Sequence, residues 1–268
     1  MSKSARPQGG AGSIFLIDAS NFIYRAFHAL PMLTSPDGTP VNAVHGYVRM
    51  VSSMRKEFAP EYIAAIFDVG GENFRTRLFD QYKAQRPPPP DDLIPQFKLV
   101  RQATDALGIP RLEVADVEAD DVIATLTKLA RASGKRVVIA STDKDLMQLI
   151  DQGSDKLPEV VMWDSMKNRL IARDKVELKF GVTPEKLGDL LALMGDSSDN
   201  VPGVPGIGAK TAAMLIEQYG DLAGVLAAAP SIKQKKRREN LIQFADQARL
   251  SRKLVDLKAD VTLPVTVD

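Results

Sequence analysis

Four short apolar runs in the first two thirds of the chain predict buried strands. The runs cover residues 14–17, 63–67, 137–139 and 160–163. None of them alternates with polar residues, and uninterrupted runs of this length are typical of strands buried on both faces of a parallel sheet. We therefore expect a central parallel sheet that is covered by helices on both sides.

Apolar residues at helical spacing lie between these runs. Asn42 is a candidate cap for one helix, a second stripe over residues 93–107 ends at Gly108, and a third helix is predicted over residues 119–132. Strands that alternate with helices are typical of an α/β domain, which we place at residues 13–175.

The pattern changes after about residue 176, where no further strand is predicted. The Thr183-Pro184 pair is typical of a helix start, and this helix is predicted to end before Gly195. A loop and a second helix over residues 210–219 follow. We expect residues 176–268 to form an all-helical region.

The composition excludes several kinds of chemistry. The 268 residues include no cysteine and only two histidines, His28 and His45, so thiolate sites are impossible and imidazole catalysis is disfavoured. No apolar run approaches the roughly 20 residues of a membrane span. Residues 1–12 lack the apolar core of a secretion signal and are predicted to be a flexible tail. We expect a soluble, cytoplasmic and monomeric protein that has no membrane partner.

Carboxylates follow the ends of the predicted strands. Asp18 and Asp68 come directly after the first two apolar runs, and Asp143 and Asp145 come shortly after the third. Further acids open the third helix or follow Gly195: Glu118, Asp120, Asp121, Asp196 and Asp199. Single acids are common at helix starts and turns. Because the carboxyl ends of parallel strands meet at one edge of a sheet, we nevertheless expect this set to converge.

Converging carboxylates restrict the chemistry of the site. Several uncompensated negative charges in one cleft repel one another unless cations neutralise them, and oxygen ligands favour Mg²⁺ or Mn²⁺. Two such cations roughly 4 Å apart are a familiar arrangement for hydrolysing phosphodiesters, and they require no histidine or thiol. The set therefore predicts a hydrolase site for two Mg²⁺ ions, with Mn²⁺ as a substitute.

A glycine-rich loop, VPGVPGIGAKT at residues 201–211, connects the last two predicted helices. It does not fit a nucleotide-binding P-loop, because Ala209 separates Gly208 from Lys210 and no buried strand precedes the loop. Glycines let backbone N–H groups approach phosphates, and the following helix presents a positive N-terminus. The loop predicts either contact with a phosphate backbone or only a tight turn.

Two basic segments are candidates for contact with nucleic acid. Residues 72–86 carry four bases against two acids, with three interleaved aromatics, and residues 231–240 carry five bases against one acid. Each segment fits either phosphate contact or a solvated helix face. Arg25 lies seven residues after Asp18, where it either reaches the cleft or forms a surface ion pair.

Five sequence motifs together resemble one family. They are LIDASNFIYRAFHAL, FRTRLFDQYKAQRPPPPDDL, VEADDVIATL, STDKDLMQL and LALMGDSSDNVPGVPGIGAKTA. In this order they resemble the 5′-nuclease domains of bacterial DNA polymerase I, within the flap endonuclease family, from about Ser13 to Asp268. The resemblance implies a PIN-like α/β core, a helical arch segment at about residues 72–92, and a helix-three-turn-helix region over residues 176–268 that binds duplex DNA.

The same resemblance implies roles for individual residues. The implied metal ligands are Asp18, Asp68, Glu118, Asp120, Asp121, Asp143, Asp145, Asp196 and Asp199. The implied basic catalytic residues are Arg25, Arg75, Lys83 and Arg86. The implied DNA-binding residues are Tyr82, Gly203, Val204, Gly206, Gly208, Lys210 and Thr211. A K⁺ ion at the glycine-rich loop is a further implication.

The implied function is that of a metal-dependent 5′-3′ exonuclease and 5′-flap endonuclease in DNA replication and repair. Its substrates would be DNA with 5′ ends, flaps or nicks, and RNA-primed DNA. A non-catalytic DNA junction-binding module and a PIN-type ribonuclease are the alternatives. The net charge of +1 gives no hint of DNA, but setting aside the nine metal-site acids leaves 25 of 34 acids against 35 bases. This remainder predicts a basic exterior.

Overall fold

A computed structural model of the protein describes residues 7–265 and contains a six-stranded sheet with the order β3-β2-β1-β4-β5-β6. The strands are β1 (Ser13–Asp18), β2 (Tyr62–Ile66), β3 (Arg111–Leu112), β4 (Arg136–Ala140), β5 (Val160–Asp164) and β6 (Arg169–Ile171). The first five strands are parallel, and β6 pairs antiparallel with β5 at one edge. The predicted parallel sheet is confirmed. Strands β3 and β6 are too short to form a recognisable apolar run.

Helices cover both faces of this sheet. The described residues form α1 (Ala19–Ala29), α2 (Asn42–Phe58), α3 (Phe74–Leu78), α4 (Ile94–Ala106), α5 (Ala119–Ala132), α6 (Arg173–Phe180), α7 (Leu187–Met194), α8 (Ala209–Tyr219), α9 (Leu222–Ala228), α10 (Lys235–Gln243) and α11 (Ala245–Val255). Phe15 and Ile17 pack with α1, α2 and α4, whereas Ile14 and Leu16 pack with α5 and α7. This alternation follows from the two-residue period of a strand. The predicted α/β fold is therefore confirmed.

A local cap explains the start of helix α5 but not that of α2. The N–H group of Glu118 donates to the Asp121 side chain at 3.1 Å, which fixes the start of α5. Helix α2 begins at Asn42, but the Asn42 side chain donates to the Phe27 carbonyl at 3.0 Å. The predicted cap at Asn42 is thus wrong, because its amide instead ties α2 to the end of α1.

The C-terminal part of the described chain consists of helices and loops, as the sequence predicts. The predicted domain boundary at residues 175–176 falls inside α6. Leu190 of α7 and Leu254 of α11 belong to the same buried cluster as Leu16 of the sheet, so the two regions share one core. None of the helices in the described part of the chain combines the length and hydrophobicity needed to cross a bilayer.

The predicted N-terminal tail lies partly outside the described residues, which exclude residues 1–6. The N–H group of Gly10 donates to the Phe58 carbonyl at 3.0 Å, and that of Gly12 donates to the Glu61 carboxylate at 2.5 Å. These bonds hold residues 10–12 against the end of α2 and the start of β2, whereas the sequence predicted a flexible tail there.

The arch segment is much less helical than predicted. Asn73 caps the five-residue helix α3, and residues 79–86 form turns and extended segments instead of continuing the helix. Lys83 has a left-handed φ of +57°, which interrupts a helix, and the prolines at 87–90 prevent another from forming. The prediction of a helical arch over residues 72–92 is therefore wrong outside α3.

The glycine-rich loop packs tightly against the end of α7. Gly203 adopts a φ of +63°, and a Cβ atom at this position would lie 2.3 Å from the Gly195 nitrogen. Val204 beside it is buried, and its N–H group donates to the Leu193 carbonyl at 2.8 Å. Gly206 has a φ of +77° but has room for a Cβ atom, whose nearest neighbour would be an Asn240 side-chain atom at 3.5 Å. Close packing thus requires glycine only at the first of these two loop positions.

We predict that Gly203→Ala destabilises the protein by about 2–4 kcal/mol, because the methyl group adds a backbone clash to the strain of a left-handed φ. The matched variant Gly206→Ala has the strain without the clash and should cost roughly 1 kcal/mol. Urea unfolding followed by circular dichroism measures both. Equal losses of stability in the two variants would contradict this account of the loop.

Candidate functional site

The ends of three neighbouring strands bring most of the predicted acids to one place. A cleft of about 730 Å³ is lined by Asp18, Asp68, Glu118, Asp120 and Asp143, among others. These residues arrive there from the ends of β1, β2 and β4 and from the start of α5. The carboxyl edge of the sheet and the N-terminus of a helix therefore face the same space.

Five of the acids form two groups with the spacing of metal ligands. The first acid group consists of Asp120, Asp143 and Asp145, and the second acid group consists of Asp145, Asp196 and Asp199. Within each group, one oxygen from each carboxylate lies within 4.8 Å of the others. Asp145 belongs to both groups, so the two candidate metal positions adjoin.

Burial and mutual repulsion raise the pKa values of three acids at this edge, Asp18, Asp120 and Asp145. Burial raises the pKa of Asp145 to about 7, and the nearby Asp143 adds to the shift. Burial likewise raises the pKa of Asp18 to about 7, although hydrogen bonds from Asn21 and Ser141 oppose the change. The pKa of Asp120 is also raised, first by burial and then by Asp143 and Asp18. The negative charge at this edge is therefore poorly compensated by the protein itself.

One oxygen in the shared position has no donor. Asp145 Oδ1 is buried and has no hydrogen-bond partner among the described residues. A buried carboxylate oxygen without a donor is unusual, and a bound cation would satisfy it. The oxygen-only donor set of both groups suits a hard divalent cation rather than zinc.

Basic side chains form ion pairs with Glu118 and with two acids of the second group, Asp196 and Asp199. Lys83 Nζ is 2.6 Å from Glu118 and 3.6 Å from Asp199, and Arg86 Nη2 is 2.5 Å from Asp199. Burial raises the pKa of Asp199, but Lys83 and Arg86 outweigh it and leave the pKa below its usual value. Lys144 pairs with Asp196 at 2.6 Å. Among the described residues, no base forms a direct ion pair with Asp120, Asp143 or Asp145, the members of the first acid group.

Asp68 and Glu118 line the cleft but lie outside both acid groups. Asp68 accepts hydrogen bonds from the Ala119 N–H group at 2.9 Å and from the Ser20 hydroxyl at 2.7 Å. Glu118 binds Lys83 and also accepts from the Tyr82 hydroxyl at 3.0 Å. Both carboxylates thus already have protein partners that tie neighbouring elements together.

The geometry does not support the predicted roles of Arg75 and Asp121. The two oxygens of the fully buried Asp121 each lie 2.7 Å from a guanidinium nitrogen of Arg75. Arg75 also donates to the carbonyls of Leu254 and Asp256 at 2.8 and 2.6 Å. The arginine is only 1% exposed, so this pair is a structural link between α3, α5 and the end of α11.

Tyr82 was predicted to contact DNA, but the structure buries it. Its side chain is 5% exposed, and its hydroxyl donates to Glu118 and, at 3.3 Å, to Asp199. The Lys83 N–H group also donates to the Asp199 carbonyl at 3.0 Å. The ring therefore packs beneath the arch segment, where it has no free face for a nucleobase.

Arg25 reaches the cleft, as one of the two interpretations of the sequence expected, and it also forms an ion pair that is not at the surface. It lines the cleft with Asp18 and Asp143, and it also forms an ion pair with Asp164 at 2.7 Å. The partner is not at the surface, because the Asp164 side chain is 2% exposed. Asp164 was not among the predicted site residues, although it directly follows the fourth apolar run as Asp18 and Asp68 follow the first two.

Hydroxyl groups that orient the acids were also missed. Ser141 donates to Asp18 at 2.7 Å, and Ser20 donates to Asp68 at the same distance. Both serines stand within the motifs that contain the acids, ASN after Asp18 and STDKDL around Asp143. Their proximity to a strand end was the signal available in the sequence.

The glycine-rich loop exposes only part of the residues predicted to bind DNA. Gly206, Gly208 and Lys210 are exposed and Thr211 is half-buried, at or near the start of α8. Gly208 caps α8 without a side chain, which leaves the first backbone N–H groups of this helix available to an anion. One wall of the loop, formed by Gly206, Gly208 and Lys210, therefore faces solvent.

The other two loop residues predicted to bind DNA are buried. Gly203 donates its N–H group to the Ser251 hydroxyl at 3.1 Å, and Val204 packs in the core. Both therefore have structural roles. Asn240 of α10 donates to the Pro205 carbonyl at 2.7 Å, which places the basic segment of residues 233–238 near the exposed wall.

Comparison with known proteins agrees with this architecture. Residues 13–181 match the family model described as 5′-3′ exonuclease, N-terminal resolvase-like domain. Residues 182–268 match the model described as 5′-3′ exonuclease, C-terminal SAM fold. The two models adjoin at the end of α6, a few residues beyond the boundary that the sequence predicted.

Individual relatives cover nearly the whole chain. The DNA polymerase I of Rhizobium leguminosarum is 50% identical over 263 residues, which are 95% of this chain and 25% of that protein. The 5′-3′ exonuclease of Aquifex aeolicus is 37% identical over 254 residues, 95% of this chain and 84% of that protein. The chain thus spans about a quarter of the length of the first of these relatives.

Solved structures include a close match to the fold. A bacteriophage T5 flap endonuclease variant, solved as a pseudo-enzyme-product complex with DNA and metal ions, superposes with a TM-score of 0.75 at 25% identity. The match covers 92% of this chain and 89% of that chain. Because the two family models together span almost the entire sequence, this chain belongs to the 5′-3′ exonuclease family.

Proposed function

We propose that this protein is a metal-dependent, structure-specific nuclease that hydrolyses DNA phosphodiester bonds as a 5′-3′ exonuclease and 5′-flap endonuclease. The observation that carries this proposal is the sharing of Asp145 by two groups of acids, the first of which contributes Asp120 and Asp143 to the cleft. Membership of the 5′-3′ exonuclease family supports it. A module that only bound DNA junctions would gain nothing from acids whose charges repel both one another and the DNA.

The two acid groups are assigned as sites for two Mg²⁺ ions, with Mn²⁺ as a substitute. Their three-carboxylate sets and the donor-free Asp145 Oδ1 fit oxygen-ligated divalent cations. When bound, such cations lower the pKa of a water molecule and stabilise negative charge on the leaving oxygen. The related bacteriophage nuclease was solved with metal ions, which supports the assignment.

The basic residues of the cleft are proposed to hold the reacting phosphate. Arg25, Lys83 and Arg86 line the same cleft as the acids and approach it from two sides, α1 and the arch segment. Guanidinium and ammonium groups bind phosphate oxygens through charge-assisted hydrogen bonds. These three side chains would orient the phosphodiester beside the acid groups and offset the charge that develops on it.

The exposed wall of the glycine-rich loop is proposed to bind the duplex part of the substrate. Backbone N–H groups at the start of α8, together with Lys210, suit phosphate oxygens and carry no sequence information. The substrate would thus be recognised by its structure, as DNA with a 5′ end, flap or nick, including RNA-primed DNA. The DNA bound in the related bacteriophage structure supports this proposal.

Further aspects of the function are proposals of the same kind. We place the protein in the cytoplasm, as a monomer that acts in DNA replication and repair. The K⁺ ion predicted at the glycine-rich loop stays a prediction. The carbonyls of Gly203 and Pro205 already accept hydrogen bonds from Gln247 and Asn240, so a cation there would need other oxygens of the loop.

Asp143→Ala should lower the rate of cleavage by more than about 100-fold, because it removes a ligand from the first acid group. Binding of the substrate should change little. The assay follows 5′-labelled flap, nicked-duplex and single-stranded RNA substrates in Mg²⁺ and in EDTA. The control Asp246→Asn alters an acid that is fully exposed and should keep full activity.

Full turnover of the flap substrate by Asp143→Ala in Mg²⁺ would refute the metal-dependent nuclease. Preferential cleavage of the RNA by the wild-type protein would favour the ribonuclease instead. Binding of the flap without any cleavage by the wild type would identify a binding module.

Mg²⁺ should stabilise the protein more at pH 8 than at pH 5. The pKa values of Asp18 and Asp145 are about 7 in the folded protein, against an ordinary value of 3.8. The stability that these groups contribute is therefore present at low pH and is lost as the pH rises towards and through 7. At pH 8 the carboxylates are ionised and this stability has been lost. A cation that binds the ionised carboxylates of the folded protein restores part of it.

Thermal unfolding with and without Mg²⁺ at the two pH values measures this effect. Asp145→Asn should lose most of the Mg²⁺-dependent increase in melting temperature, whereas Asp246→Asn should retain it. An increase of the same size at pH 5 and pH 8, or one that persists in Asp145→Asn, would contradict the assignment of the site.

Lys210→Ala should weaken binding of duplex DNA to a similar extent for all sequences, because the contact is with phosphate. The slope of the logarithm of affinity against the logarithm of salt concentration should fall by about 1. Fluorescence anisotropy with two unrelated duplexes at several salt concentrations tests this. Lys128→Ala on α5 is the control, an exposed lysine outside the loop. An unchanged slope in Lys210→Ala would remove the loop from the proposed surface.

A further inference from the structure

Asp164 is a buried acid at the carboxyl edge of the sheet that belongs to neither acid group. It is the last residue of β5, and its side chain is 2% exposed. It occupies the same position on its strand as Asp18, the last residue of β1. Its neighbours, however, are basic and amide groups instead of other carboxylates.

The carboxylate of Asp164 is surrounded by donors. Its Oδ1 accepts from Arg25 Nη2 at 2.7 Å and from the N–H groups of Met166 and Lys167 at 3.2 and 3.3 Å. Its Oδ2 lies 3.5 Å from Arg169 Nε. Burial raises the pKa of Asp164, but the Arg25 guanidinium and the backbone donors outweigh it and hold the pKa below its usual value. The negative charge of Asp164 is therefore compensated by donors within the protein.

Arg25 is held at each of its three guanidinium nitrogens. Nη2 binds Asp164, Nη1 donates to Thr142 Oγ1 at 3.1 Å, and Nε donates to the Met166 sulfur at 3.2 Å. Asn21 also donates to Thr142 Oγ1 at 3.3 Å, which fixes that hydroxyl in turn. The Arg25 side chain remains 20% exposed and lines the cleft.

This arrangement matches what a phosphate-binding arginine requires. A free arginine must lose much of its rotational freedom when it contacts a phosphate, whereas one that is already oriented does not. Of the three groups that bind the Arg25 guanidinium, Asp164 is the only charged one and makes the shortest contact. Thr142 adjoins Asp143 in the chain, so the same bonds also set the distance between the guanidinium and the first acid group.

We infer that Asp164 is a positioning residue, which orients Arg25 for its contact with the phosphate that is cleaved. The inference rests on the proposed nuclease function. Asp164 itself does not touch the substrate and acts only through the arginine. Its loss should therefore lower kcat more than it raises KM, and should have no effect once Arg25 is absent.

The test is a double-mutant cycle with Asp164→Asn and Arg25→Gln on a 5′-flap substrate in Mg²⁺. Asparagine keeps an acceptor for the N–H groups of Met166 and Lys167 but loses the charge that binds Arg25. We expect kcat to fall about tenfold in Asp164→Asn with little change in KM. Arg25→Gln should lower kcat further, and adding Asp164→Asn to it should cost nothing more.

Two further variants complete the design. Arg169→Gln removes the other, half-exposed side-chain partner of Asp164 and should keep kcat within about twofold of the wild type. Should Asp164→Asn fail to fold, as thermal unfolding would reveal, Thr142→Val removes a different contact to Arg25. Thr142→Val should likewise lower kcat when Arg25 is present and should have no further effect when it is combined with Arg25→Gln.

The possible outcomes separate the two proposals. Absence of Mg²⁺-dependent cleavage by the wild type would reject the nuclease function, and this inference with it. Full activity of Asp164→Asn beside an impaired Arg25→Gln would reject the positioning role alone. An equal loss of kcat from Asp164→Asn in the presence and absence of Arg25 would mean a general structural role and would also overturn the inference.

Discussion

Repulsion among carboxylates at one edge of the sheet is the constraint on which the rest of this structure depends. A parallel sheet directs the ends of its strands to the same side, so acids that follow β1, β2 and β4 come together whatever their individual roles. Burial makes their ionisation costly, as the raised pKa values of Asp18 and Asp145 indicate. Lys83 and Arg86 of the arch segment and Lys144 of the loop after β4 pair with Glu118, Asp199 and Asp196. The first acid group has no direct ion pair among the described residues, and its spacing suits a divalent cation.

The same edge is also joined to the C-terminal helices by a buried ion pair. Arg75 connects Asp121 of α5 with the carbonyl of Leu254 at the end of α11. Breaking a buried pair of this kind typically costs about 3–5 kcal/mol, because one charge is left without a partner. Ser251 of α11 in turn holds Gly203 of the glycine-rich loop. A chain of short polar contacts therefore fixes the glycine-rich loop relative to the acids.

The position of a side chain could not be predicted from the sequence where it depended on a partner distant in the chain. Asp121 is the same type of residue as Asp120 and adjoins it. Asp120 nevertheless faces the cleft and Asp121 a buried arginine, because successive helical residues point about 100° apart. Tyr82 stands among bases as a stacking aromatic would, but the acids beneath it offer its hydroxyl two acceptors. Asp164 followed the very pattern that identified the other acids, and only its neighbours distinguish a positioning group from a ligand.

The sequence by itself determined the class of fold, the strands and helices that carry the acids, and the family to which the chain belongs. These follow from local periodicity, from turn and cap residues, and from motifs that are contiguous in the chain. The tertiary structure alone decided which acids share a space, which of them Lys83 and Arg86 neutralise, and which glycine of the loop is needed for packing. Those properties depend on distances of a few ångströms between residues far apart in sequence, since electrostatic and packing energies change steeply over that range.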